Sequence, residues 1–139
     1  MKNGNNEFNF CSSISFVSNE IGFAINENGE IYKTDDSGIS WTYQNPNDNL
    51  ENNTSNNVIS FIDEFNGYAL SDGKIHKTTD GGVTWSLQSN PPGSDISFLN
   101  DSVGYSNAEG YVYKTINSGL SWNLQNPNNA PGTSEYISF

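Results

Sequence analysis

The side chains that could carry chemistry in this chain are 16 carboxylates, one histidine, one cysteine and five lysines; arginine is absent. A two-carboxylate hydrolase needs its acids on either side of one bond. The adjacent pairs Asp35-Asp36 and Asp63-Glu64 fail that test, because neighbours on a strand point to opposite faces. His76 is a lone imidazole, in a column otherwise filled by Tyr32 and Tyr113, and reads as a packing substitution. There is no His/Cys cluster, no Gly-rich phosphate loop and no alternating-acid calcium loop. The sequence therefore assigns no catalytic residue, no metal ligand and no cofactor. Cys11 has no second cysteine to pair with and reads as a small apolar filler. Asn52-Asn53-Thr54-Ser55 and Asn100-Asp101-Ser102 match glycosylation sequons, which a chain with 23 asparagines produces by chance.

A formal charge of −11 without a basic cluster repels phosphate backbones and anionic headgroups, so neither nucleic acid nor a membrane surface is an expected partner. No stretch approaches the ~18 apolar residues that cross a bilayer, and Met1–Glu7 lacks the apolar run of a targeting signal. An acidic, Asn/Ser/Thr-rich, lysine-poor surface favours a secreted or cell-surface setting over the cytoplasm.

The elements that must position these groups are repeated. Leu, Ile, Val and Phe make up only 30 of 139 residues, near the level at which an acidic chain stays unfolded, so their arrangement has to decide. Ile14-Ser15-Phe16, Ile59-Ser60-Phe61 and Ile96-Ser97-Phe98 each lead to a Gly-aromatic-small triplet, at Gly22, Gly67 and Gly104. Strand-like runs ending in Lys33-Thr34, Lys77-Thr78 and Lys114-Thr115 come next, and then Trp41-Thr42-Tyr43-Gln44, Trp85-Ser86-Leu87-Gln88 and Trp122-Asn123-Leu124-Gln125. A fourth start stands at Ile137-Ser138-Phe139. Four short β-branched and aromatic runs per ~40 residues, with no sustained helical period, predict four-stranded antiparallel propeller blades. The expected fold is all-β, a single propeller-type domain over 1–139. Its blades cover about 14–46, 59–91 and 96–127, with the first strand of a further blade at 135–139.

Between the third and fourth strands of each unit stands Ser/Thr-x-Asp-x-Gly-x-x-Trp: Thr34, Asp36, Gly38, Trp41; Thr78, Asp80, Gly82, Trp85; Thr115, Asn117, Gly119, Trp122. This resembles the Asp-box, or bacterial neuraminidase repeat, of β-propellers. The whole unit, with its Gly-Tyr-Ala and Lys-Thr, is similar to the photosystem II assembly and stability factor family. The acid can accept turn amides, the glycine supplies positive φ and the tryptophan packs down on the blade. Asn117 keeps the acceptor and drops the charge, so the box reads as structural, not catalytic. What the resemblance implies for sialidases is a three-arginine clamp on the substrate carboxylate. Lysine cannot reproduce that fork, and sialidase chemistry is excluded here.

The expected function is a non-enzymatic protein-binding or assembly module. The alternatives are a non-sialidase glycoside hydrolase-like propeller or a purely structural surface-assembly protein. Three blades leave two open edges, which points to a longer chain or to a homo-oligomer, a dimer closing the ring with 135–139 as the exchanged strand. A protein or glycan ligand fits such a rim, and the long connector 47–57 and the serine column Ser15, Ser60, Ser97 and Ser138 are the places to look.

Overall fold

The computed structural model describes residues 11–47, 50 and 57–125. They form three four-stranded antiparallel sheets, each a meander in chain order. Blade 1 holds β1 (Cys11–Phe16), β2 (Gly22–Asn26), β3 (Ile31–Thr34) and β4 (Thr42–Tyr43). Blade 2 holds β5 (Val58–Phe61), β6 (Gly67–Ser71), β7 (Lys74–Thr78) and β8 (Ser86–Ser89). Blade 3 holds β9 (Asp95–Phe98), β10 (Gly104–Ala108), β11 (Tyr111–Thr115) and β12 (Asn123–Leu124). The all-β expectation holds. No helix among the described residues is long and apolar enough to cross a membrane. The proposed strand at 135–139 lies outside the described residues.

The core lies between blades rather than within one. Phe23, Ile25 and Ile31 of blade 1 meet Ile59, Phe61 and Ala69 of blade 2, with Leu50 and Trp85 at the margin. Tyr68, Leu70 and Ile75 on the other side of blade 2 meet Ile96, Phe98 and Trp122 of blade 3. Blade 2 therefore buries apolar residues on both faces, and β6 is buried along its whole length. A sparse aliphatic content is sufficient because the buried part of it is concentrated at two interfaces, where a fully buried Ile or Phe contributes ~1.5–3 kcal/mol. Each blade thus depends on its neighbour.

The Gly-aromatic-small triplet has a steric origin. Phe16, Phe61 and Phe98 lie across from Gly22, Gly67 and Gly104 in register. A Cβ at those glycines would fall 2.5–2.6 Å from the phenylalanine ring. Glycine is required there by close approach, not by a left-handed backbone.

Cys11 is exposed, not the apolar filler expected, because β1 starts ahead of Ile14, with a register shift between Cys11 and Ser13, on an edge that no described blade covers. The connector after blade 1 is packed at its described points: Leu50 is 6% and Asn57 1% exposed. Leu50 donates its N–H to the Gly29 carbonyl (3.3 Å), and Asn57 Nδ2 donates to the Asn26 carbonyl (2.9 Å).

Candidate functional site

The three boxes form the same turn. Thr34 Oγ1 donates to Asp36 Oδ1 (2.8 Å) and accepts from Gly38 N (2.8 Å), and Asp36 accepts from the Ser40 amide (2.8 Å) and hydroxyl (2.6 Å). Thr78, Asp80, Gly82 and Thr84 repeat the pattern within 0.1 Å. Gly38, Gly82 and Gly119 have φ between +85° and +90°, a region that costs other residues strain. Trp41 and Trp85 donate Nε1–H to the Gly38 and Gly82 carbonyls (3.1 and 2.9 Å). Blade 3 differs chemically. Asn117 Oδ1 still accepts from Ser121 N (3.0 Å), but its Nδ2 now donates to Ser121 Oγ (2.9 Å), so the hydroxyl has turned from donor to acceptor. Trp122 turns to Ser89 Oγ (3.4 Å), while Ser89 in turn donates to the Gly119 carbonyl.

These bonds set the charge state. The hydroxyl and amide of Ser40 hold the Asp36 carboxyl at about 2, below its ordinary 3.8. Partial burial pushes Asp80 up, but the bonds from Thr84, Thr78 and Val83 outweigh it and keep the carboxyl low. Each box is tied to its own blade through Ser37 N to Glu20 O, Gly81 N to Phe65 O and Ser118 N to Ser102 O, all 3.0 Å. The twelve box residues are thus brought together as three turns on one rim.

A second set of contacts, across blades, was not anticipated. Ser15 Oγ accepts the N–H of Phe61 (3.0 Å), and Ser60 Oγ accepts that of Phe98 (3.0 Å). Ser13 Oγ takes the N–H of Ile59 (3.2 Å); in the next interface Val58 holds that register and cannot accept, so Asp95 caps Ile96 N with its own carboxylate (2.9 Å). The serine column is a side-chain ladder joining innermost strands. Phe61 stacks on Phe23 of the preceding blade at 3.7 Å and meets Trp85 of its own edge-on; Phe98 does the same with Tyr68 (3.6 Å) and Trp122. Lys33 lies over Phe23 and pairs with Glu64 (3.4 Å), and Lys77 lies over Tyr68 and pairs with Asp101 (3.0 Å). Burial lowers Lys77, but Asp101 and Tyr68 together more than offset it and the ammonium is stabilised. Gln44 and Gln88 donate to the Gly81 and Ser118 carbonyls of the next box (3.0 and 3.2 Å).

On blade 3 the same side chains meet no following blade among the described residues. Lys114 lies over Tyr105 at 5.9 Å with no acid beside it, and Gln125 Nε2 turns back to its own Asn123 carbonyl (3.1 Å). Ser97, the counterpart of Ser15 and Ser60, accepts no amide among the described residues. A cavity of about 380 Å³ opens here, where Ser97, Tyr105 and Val112 line the open face; Ile96 and Ser106 border it from the blade 2 side of the same strands. Ser106 is 4% exposed and its hydroxyl has no partner. Blades 1 and 2 carry Ala24 and Ala69 at this register position.

The remaining candidates are placed as follows. Asp63 accepts the Phe65 and Asn66 amides (2.8 and 2.7 Å), while Glu64 points to Lys33, so the adjacent acids diverge. His76 is half-buried opposite Ala69, as Tyr32 is opposite Ala24. Among the described residues no three His, Cys, Asp or Glu side chains gather as a metal site.

Comparison with known proteins follows this architecture. No curated protein sequence matches. Among solved structures, a YCF48 bound to a D1 peptide superposes with TM-score 0.65 at 23% identity, covering 83% of this chain and 40% of that one. YCF48 from Cyanidioschyzon merolae gives 0.63 at 20%, covering 83% and 36%. A GH74 enzyme of Niastella koreensis gives 0.60 at 16%, covering 83% and 18%. The chain therefore spans two fifths or less of these relatives, which share its propeller fold. The family model described as photosynthesis system II assembly factor YCF48 matches residues 5–137, nearly the whole chain, and the protein belongs to that family.

Proposed function

We propose that the chain is a non-enzymatic protein-binding and assembly module, and that its binding surface is the open face of blade 3. The observation that carries this reading is the apolar cavity there, where Ser97, Tyr105 and Lys114 keep the inter-blade geometry with no blade to meet among the described residues. An extended segment of a protein would enter as β5 enters beside blade 1. Its amide would donate to Ser97 Oγ, its aromatic ring would stack on Tyr105 and an acid would approach Lys114. That is strand recognition by an alternating side-chain pattern. The D1 peptide bound by a structural relative supports a peptide as the class of ligand. With a charge of −11 and no arginine, the chain favours neutral or basic segments beyond the groove.

The probe is a peptide copying Asn57–Ile62, the strand that fills this slot between blades 1 and 2, with a D1 peptide as the second probe. Saturable binding of either in the ~1–100 μM range, measured on a Phe16→Glu chain so that no second copy competes for the face, and lost with Tyr105→Ala, is expected. No binding at ~1 mM, or hydrolysis of a glucan panel by the chain, would overturn the reading.

A further inference from the structure

We propose that the open face of blade 3 receives β1 of a second copy of this chain, so that two copies join tail to head. This rests on the strand-binding reading of that face and goes on to name the occupant. The two internal interfaces are the template, and the two open faces of the chain carry its halves. On blade 3 stand Ser97, Tyr105, Lys114 and Gln125, without cross-blade partners among the described residues. On blade 1 stand the complements: Ile14 and Phe16 are 57% and 43% exposed, large values for residues whose equivalents Ile59, Phe61, Ile96 and Phe98 are 4–7% exposed. Phe16 already meets Trp41 edge-on at 6.2 Å, as Phe61 and Phe98 meet Trp85 and Trp122, and lacks only the stacked ring of a preceding blade among the described residues.

Docked in that register, Phe16 of one copy stacks on Tyr105 of the other, its N–H reaches Ser97 Oγ, and Gln125 reaches the Ser37 carbonyl. One position departs from the template. Asn19 stands where Glu64 and Asp101 pair with lysine, so Lys114 meets an amide, with Glu20 next to it, in place of a carboxylate. β1 is already seated in a complete four-stranded blade. Exchange of residues 135–139 is therefore not needed to close a ring, and two copies supply six blades, within the roughly four to eight that close. Such a contact is heterologous, and both open faces of each copy are used once in a closed pair.

Heterologous joining makes a specific prediction for mixtures. Light scattering of the full chain should give twice the 15.3 kDa chain mass. Tyr105→Glu blocks the tail and Phe16→Glu the head, and each alone should be monomeric. An equimolar mixture should dimerise again, because one copy keeps its head and the other its tail. Near-ultraviolet circular dichroism checks the fold, and Ile14→Glu serves as the head block if Phe16→Glu unfolds. A wild-type monomer, a dimer that ignores both substitutions or a mixture that stays monomeric would overturn the inference. Occupation of the face by the chain's own Ile137-Ser138-Phe139 is the monomeric outcome. A monomer that still takes the Asn57–Ile62 peptide leaves the binding reading standing and removes only this one.

Discussion

The acid of the box is a turn residue whose charge is useful without being essential. Asp36 and Asp80 are both held below the ordinary carboxylate value by bonds that favour the ionised form. A pKa lowered on folding contributes stability that is fully present above the unfolded value and is lost as pH falls through the folded one. For Asp36 that window runs from 3.8 down to about 2. The thermal midpoint should therefore fall steeply across it, and Asp36→Asn/Asp80→Asn should flatten the dependence; equal slopes would contradict this. At neutral pH, Asp80→Ala should lower stability by about 1 kcal/mol or more, since the Val83 and Thr84 amides lose their acceptor. Asp80→Asn should cost less, because Asn117 shows the amide turn. The motif letters made this turn legible, but the reversal of the Ser121 hydroxyl was not. It follows from where two donors sit, which spacing alone does not specify.

The strands were legible because the columns repeat, and the contacts between blades were not. Ser15 and Phe61 N lie 46 residues apart, and Gln44 and Gly81 lie 37 apart. The serines and glutamines stand out in sequence as columns, but whether they face a channel, a neighbour or solvent is decided by how one sheet sits on the next. Cys11 misled for a related reason: apolar character places a residue in a core only where a second layer covers it. The glycines opposite phenylalanine give the sharpest test at this scale. In Gly67→Ala the new Cβ would stand 2.5 Å from a ring held between Phe23 and Trp85. Thermal or denaturant unfolding should show a loss of about 1–3 kcal/mol. At Gly73, with φ +72° and open space around it, asparagine should be close to neutral. Similar losses at the two glycines would show that packing against the ring is not the cause.

At the scale of the whole molecule, the described residues form three blades that each need a neighbour, and only the middle one has two. Blade 3 keeps the apolar cavity, the stacking ring and the lysine of an inter-blade face. The most direct test is backbone hydrogen exchange of the Phe16→Glu chain, in which no second copy fills the blade 3 face, with and without the Asn57–Ile62 peptide. A strand seated on blade 3 should slow exchange at Asp95–Phe98 and Gly104–Ala108 and leave the three box turns unchanged. Slowing confined to the box turns or to blade 1, or no slowing at saturating peptide, would contradict the assignment of this face as the binding surface.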